Sequence, residues 1–181
     1  MSIDLCHFSD LVVLETDRLI LSPLNKNFLS QRYVDWMNDK KVIKHLESGG
    51  DYTIEKLSNY LEEVEHNPKY FWAISVKKTN KHIGNIKIDP IDLNNFSGEY
   101  GIMIGDRNEW GKGIAKEASE RIIDFCFNLL NLKRLNLGVK KNNLNAIRLY
   151  KKLGFTIENS SKLNRTDQEY YRMLLYNTNR K

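Results

Sequence analysis

In the stretch Asn108-Glu-Trp-Gly-Lys-Gly-Ile-Ala115, Gly111 and Gly113 stand just before apolar residues at helical spacing: Ile114, Ala118, Ile122, Phe125 and Leu129. A helix that opens on glycines presents unpaired N–H groups and the positive end of its dipole. The missing Cβ atoms let another molecule approach the backbone. The chemistry that suits such a start is binding of a phosphate group. A tight turn uses the same Gly-x-Gly, so the pair by itself leaves both readings open. Farther along, Asn143 and Tyr150 lie two helical turns apart. That spacing is about 20° of rotation and roughly 10 Å of rise, so both face one groove. By residue type alone, Asn143 reads as a helix N-cap and Tyr150 as a core aromatic. Cys6 and Cys126 are far apart and have no metal-ligand neighbours. Cys126 falls on the apolar side of the long helix, which does not suit a nucleophile, and no metal site is expected.

The elements that must position these residues follow in order. Arg18 to Ser22 reads as a strand that Pro23 ends. Asn25 is a plausible cap for a helix carrying Phe28, Leu29, Tyr33, Trp36 and Met37. Lys40 to Leu46 reads as a further helical turn or two, Ser48 to Asp51 as a loop, and Thr53 as the cap of a helix with Leu57, Tyr60, Leu61 and Val64 on one face. Tyr70 to Val76 and Ile83 to Ile88 read as strands around a polar hairpin loop. Pro90 to Asn95 is a loop, and a central strand starting near Phe96 runs to Ile104, ahead of the glycine turn and its helix. Arg134 to Val139 alternates as a strand, Asn142-Asn143 starts a helix that Gly154 stops, and Phe155 to Ile157 and Tyr170 to Tyr176 are the last strands. This order implies one α/β (α+β) domain, a mixed sheet covered by helices.

The chain has 181 residues, 41% hydrophobic and 28% charged, which fits one ordinary globular domain. No run of about 18 apolar residues occurs, so a membrane partner is not expected. The N-terminal residues lack a signal-peptide pattern, and cysteine is scarce, which suits a reduced, cytoplasmic setting. A net charge of +5 suits anionic ligands. The basic residues are dispersed in short pairs, without the clustered face that nucleic-acid binding needs. A monomer or homodimer acting on a small molecule is the expectation.

Three stretches, in this order, together resemble the GNAT superfamily of acetyl-CoA-dependent N-acetyltransferases. Glu15-Thr-Asp-Arg-Leu-Ile-Leu21 is similar to the opening strand of the branch containing ribosomal-protein N-terminal acetyltransferases. Tyr100-Gly-Ile-Met-Ile-Gly105 with Asn108 to Ala115 is similar to the family's acyl-CoA motif. Asn143-Leu-Asn-Ala-Ile-Arg-Leu-Tyr-Lys-Lys-Leu-Gly-Phe155 is similar to its second CoA motif. The resemblance covers about residues 15 to 176, leaving 1–14 as an N-terminal extension and 15–181 as the acetyltransferase domain. Asn108 departs from the family's usual Gln or Arg, at a site that depends mostly on backbone N–H groups. The resemblance implies a mostly antiparallel twisted sheet flanked by helices, with the strand from Gly101 to Ile104 splayed from its neighbour. The pantetheine arm would pair with that strand as another strand does. It further implies acetyl-CoA as cosubstrate, no metal, and contacts from Ile102, Met103, Ile104, Asn108, Glu109, Trp110, Gly111, Lys112, Gly113, Ile114, Ala115, Asn143, Ala146, Tyr150 and Lys152.

The implied reaction is direct attack of an amine on the acetyl thioester. Tyr150 would lie next to the sulfur and donate a proton to it. With reference values of about 10 for tyrosine and about 8.5 for a thiol, that transfer is uphill by roughly 2 kcal/mol. Glu99, preceding the CoA strand, is a candidate to steer or deprotonate the amine, directly or through water; an exposed strand-end carboxylate is the alternative. His45 is a second candidate base. The stretch from Tyr33 to Ser48 resembles the substrate-side helices of GNAT enzymes that acetylate nucleotide-linked deoxyamino sugars. Trp36 and Trp72 could then stack on a sugar or uracil ring, with Tyr100 beside Glu99 as a further acceptor contact. Core packing is the alternative for both tryptophans. A protein N-terminus or a polyamine is the alternative acceptor, and an acyl-CoA-binding module without catalysis is the alternative of another class.

Overall fold

The computed structural model describes residues 12–46, 49–66, 70–158 and 169–177. In chain order the elements are β1 (Leu14–Glu15), β2 (Leu19–Pro23), α1 (Gln31–Asn38), α2 (Lys40–Ile43), α3 (Ile54–His66), β3 (Tyr70–Val76), β4 (Lys81–Asp92), β5 (Ser97–Ile104), α4 (Ile114–Asn128), β6 (Arg134–Lys140), α5 (Leu144–Lys152), β7 (Thr156–Ile157) and β8 (Tyr170–Tyr176). All eight strands form one sheet in the order β1-β2-β3-β4-β5-β6-β8-β7. Neighbours pair antiparallel except β5 and β6, which run parallel across the α4 crossover. The expected mixed, mostly antiparallel α+β sheet is the architecture found.

Alternation along the strands divides the interior between two faces. In β3, Trp72 and Ile74 point to a large core shared with Phe125 of α4, Tyr150 of α5 and Leu135 and Leu137 of β6. Ala73, between them, points to a smaller core with Tyr33 and Trp36 of α1 and Leu57 and Leu61 of α3. Each helix thus covers the sheet with its apolar stripe.

Apart from shifts of a few residues at strand and helix ends, two differences from the sequence reading have a local cause. Asn25 caps only a short 3₁₀ turn, Lys26–Phe28, accepting from the Asn27 N–H. Leu29 then takes an extended conformation, and Ser30 caps α1 by accepting from the Tyr33 N–H. Two caps in close succession split what periodicity joins. The second difference is β4, which continues through Pro90 to Asp92 where a loop is expected. The register with β5 shifts between Ile88 and Ile91, and this irregularity accommodates a proline that cannot donate to the ladder. The Asp92 carboxylate accepts from the Asn94 and Asn95 N–H groups, Phe96 turns the chain with φ +49, and β5 starts at Ser97. Residues 1–11 of the expected extension, Ser48, and Asn67-Pro68 lie outside the described residues, while Leu14–Glu15 joins the sheet as β1.

The feature that matters most for function is where β5 and β6 part. They pair at Ser97 with Arg134, Gly98 with Leu135 and Glu99 with Asn136, and no farther. Beyond Glu99, β5 stays with β4 up to Gly84 opposite Ile104, while β6 stays with β8 up to Lys140 opposite Tyr170. The gap between them is backed on the large-core side by an aromatic wedge. Tyr100 of β5 lies 5.8 Å from Tyr150 and 5.7 Å from Phe155, ring to ring. Three rings of this size prevent the strands from closing.

Candidate active site

One wall of the gap leads into the glycine turn. Asp106 accepts from the Asn108 N–H at 3.0 Å and starts a 3₁₀ turn, Arg107–Glu109. The Trp110 indole N–H donates to the carbonyl of Ile104 at 2.7 Å, which ties the turn back to the end of β5. Gly111 and Gly113 have φ of +76 and +79, a conformation that side-chain-bearing residues rarely adopt. Gly113 is the N-cap of α4, and no side chain caps that helix. The first helical bond runs from the Glu117 N–H to the Gly113 carbonyl, so the preceding N–H groups from Ile114 to Lys116 project from the helix end. A Cβ built on Gly111 would meet no atom within 4 Å. Open space over left-handed glycines at a bare helix start fits the diphosphate of CoA.

Tyr150 stands at the other side of the gap. Asn143 caps α5, its side-chain oxygen accepting from the Ala146 N–H at 3.3 Å, as its residue type suggests. Two turns later Tyr150 is 8% exposed and packs edge-on against Tyr100. Its hydroxyl makes no hydrogen bond among the described residues. Burial pushes its pKa up to about 12, so it carries its proton throughout the neutral range. Tyr100, expected as an acceptor contact, is instead 4% exposed in the large core. Its hydroxyl bonds Ser119 of α4 at 2.7 Å, and Ser119 donates in turn to the Ala115 carbonyl. The phenol of Tyr100 is therefore held from α4 beneath Tyr150, which supports that ring rather than touching a substrate.

The face opposite Tyr150 carries Glu99, at the last paired position of β5. Its carboxylate accepts from both terminal guanidinium nitrogens of Arg172 on β8, at 2.9 and 2.7 Å, and from the amide of Asn136 on β6. Glu99 is thus an ion-paired carboxylate with three hydrogen-bond donors, and not an exposed, unpartnered strand-end carboxylate. Neither Arg172 nor Asn136 carries a local signal: the β5–β6 pairing sets Asn136 opposite Glu99, and the β6–β8 pairing brings Arg172 to it. His45 follows α2. Desolvation, then the charges of Lys44 and Lys140, lower its pKa. Its Nδ1 is buried without a partner among the described residues.

The two tryptophans are not substrate platforms. Trp72 is 2% exposed in the large core, edge-on to Phe125 at 5.5 Å, and its N–H donates to the Val12 carbonyl. Trp36 is buried in the smaller core against Tyr33 and the buried His82. Its ring lies where a Cβ of Gly105 would stand, 2.2 Å away. Only an edge of Trp36 reaches an open cavity of about 740 Å³ that also borders Trp110, Asn108 and Arg107. Aromatic residues fill cores more often than they line sites, and strand and helix periodicity cannot separate the two uses.

A divergent parallel strand pair with a bare, glycine-initiated helix at its mouth and a protonated tyrosine at its floor defines an acyl-CoA-dependent transferase fold. Comparison with known proteins gives the family. The acetyltransferase (GNAT) domain family matches over residues 18–156, and the chain belongs to it. The chain is 37% identical over 139 residues to spermidine N(1)-acetyltransferase of Escherichia coli, covering 76% of this chain and 73% of that protein. It is 40% identical over 87 residues to an uncharacterized N-acetyltransferase, p20, of Bacillus licheniformis, covering 48% of each. A probable N-acetyltransferase of Bacillus subtilis, YjcK, matches over 65% of its length, so the matches span about half to two thirds of these two relatives. The fold superimposes on spermidine N-acetyltransferase of Vibrio cholerae, solved with CoA and spermine, with a TM-score of 0.77 at 23% identity over 90% of this chain and 98% of that one. Among the described residues no helix is long and apolar enough to cross a membrane, and no cluster of metal-ligating side chains occurs.

Proposed function

We propose that this chain transfers an acetyl group to a primary amine by direct attack, with a small polyamine of the spermidine type as acceptor. The observation that carries the transfer is Tyr150: a protonated phenol, free of hydrogen bonds among the described residues, at the gap beside the glycine turn. Acetyl-CoA supplies the activated thioester. The turn from Asn108 to Ala115 would hold its diphosphate, and the unpaired edge of β5 from Gly101 to Ile104 its amide-bearing arm. Tyr150 then points its hydroxyl at the leaving sulfur. A pKa of about 12 places full proton transfer to a thiol of about 8.5 roughly 5 kcal/mol uphill. That is steeper than the reference values suggest. Tyr150 therefore acts as a hydrogen-bond donor to the developing charge; as its proton passes to the thiolate, the proton that the amine releases is relayed back to the phenol. His45, kept neutral by its surroundings, is the candidate to take that proton, through water.

The acceptor rests on the relatives named for spermidine. The nucleotide-linked amino sugar loses both of its stacking residues to the cores, while relatives named above act on spermidine, so it ranks second. Thiol release should be measured with acetyl-CoA and a panel of spermidine, spermine, an N-terminal peptide and an amino-sugar nucleotide. The polyamines are expected to give the highest kcat/KM. Faster turnover of the peptide or the sugar nucleotide reassigns the acceptor; binding of CoA with no turnover of any amine leaves an acyl-CoA-binding module.

A further inference from the structure

Behind the glycine turn, the bend between β1 and β2 grips the first turn of α4. Glu117 accepts from the Thr16 hydroxyl at 2.5 Å, the Arg18 backbone N–H at 2.9 Å and the Arg18 Nε at 2.6 Å. The Arg18 Nη2 pairs with it at 2.6 Å, and Nη1 donates to the Lys112 carbonyl at 3.0 Å, between the two glycines. Nη2 also lies 3.6 Å from the position a Cβ of Gly113 would take. Thr16 in turn accepts from the Leu19 N–H, which holds its hydroxyl toward Glu117. Burial alone would raise the Glu117 pKa, but the Thr16 and Arg18 bonds outweigh it and hold the carboxyl below its ordinary value. The grip is therefore fully charged at neutral pH.

A turn with two left-handed glycines has unusual conformational freedom and no side chain of its own at the helix cap. Something outside it must fix its shape. Arg18 does so at the one carbonyl between the glycines. A cation on that carbonyl also polarises the N–H of the same peptide, that of Gly113, while Glu117 balances its charge. We propose that Arg18, locked onto Glu117 with the help of Thr16, is a positioning residue for the diphosphate of the cosubstrate: it sets affinity for acetyl-CoA and not the chemistry of transfer. The inference rests on the reading of the glycine turn as the diphosphate site.

The test compares acetyl-CoA with S-acetyl-N-acetylcysteamine, a thioester that ends before the diphosphate. Arg18→Ala should raise KM for acetyl-CoA about ten- to hundredfold, the effect of one charge-assisted contact, with kcat within about twofold. Its kcat/KM for the short thioester should stay at the wild-type value. Arg18→Lys should fall between, because a single ammonium cannot span Glu117 and the Lys112 carbonyl together. Thr16→Val, which removes one bond to Glu117 and leaves the guanidinium, should show the same split with a smaller rise and serves if Arg18→Ala does not fold. Equal losses on both thioesters, or an unchanged KM for acetyl-CoA, overturn the proposal. Titration calorimetry with CoA separates the two readings: if the wild type binds CoA but transfers nothing, the transferase reading falls, while weaker binding by Arg18→Ala still upholds the brace.

Discussion

The two sides of the gap are built by different means. The cosubstrate side is a contiguous stretch, from Ile104 to Glu117, that offers backbone N–H groups and needs glycine at two left-handed positions. The side we propose for the acceptor draws on side chains from separate elements: Glu99 of β5, Asn136 of β6 and Arg172 of β8, joined by hydrogen bonds. Backbone recognition constrains the local sequence, since only glycine fits those dihedral angles at low cost. Side-chain recognition constrains little locally, and it can change without disturbing the fold. One framework can therefore keep a single cosubstrate while its acceptor varies.

The largest effect should come from breaking the backbone side. Gly111→Val places a β-branched residue at φ +76 and projects it into open space, so CoA affinity should fall about 10²-fold or more by calorimetry. The melting temperature should also fall, because a β-branched residue is strained in the left-handed region even though its Cβ meets no protein atom. Wild-type affinity in this variant would move the phosphate site elsewhere. Tyr150→Phe acts where the two sides meet. It should lower kcat by about 10², the usual scale for losing a positioned proton donor, and leave CoA affinity unchanged. A donor must be protonated to act, and burial moves its loss of the proton upward to about 12. The kcat profile of the wild type should thus show no alkaline fall from Tyr150 in the ordinary tyrosine range near pH 10. A rate equal to the wild type in the phenylalanine variant would reduce Tyr150 to packing. The smallest effect belongs to the acceptor side. Glu99→Gln removes the charge that pairs Arg172, and should raise KM for the amine about tenfold with KM for acetyl-CoA unaltered. A matching rise in both constants would show that Glu99 serves the shared strand geometry and not the acceptor.

How far each side was legible follows from this construction. The glycine turn and α4 could be read from Gly111, Gly113 and the apolar spacing after them, and the α5 cap from Asn143. Tyr150 was singled out by its distance from Asn143 together with the family pattern. Trp36 and Trp72 stay open between stacking and core packing in the sequence, because an aromatic residue at strand or helix spacing looks the same whether its ring meets a ligand or another core ring. Arg18 sat in plain view in the opening strand, but its partner Glu117 is 99 positions away, and no local signal joins them. Arg172 is likewise remote, 73 positions beyond Glu99 and separated from it by α4, β6, α5 and β7.

By itself the sequence determined the type and order of the elements, the left-handed turn ahead of α4 and the apolar stripes that cover the sheet. Each of these depends on torsional preference or side-chain period within a few residues. Only the tertiary structure decided which strand lies beside which, where β5 parts from β6, and which carboxylate is free and which is bound. Those outcomes depend on long-range pairing and on burial: Glu99 is an ion-pair member because β8 returns beside β6, and Tyr150 holds its proton up to about 12 because Tyr100 and Phe155 enclose it.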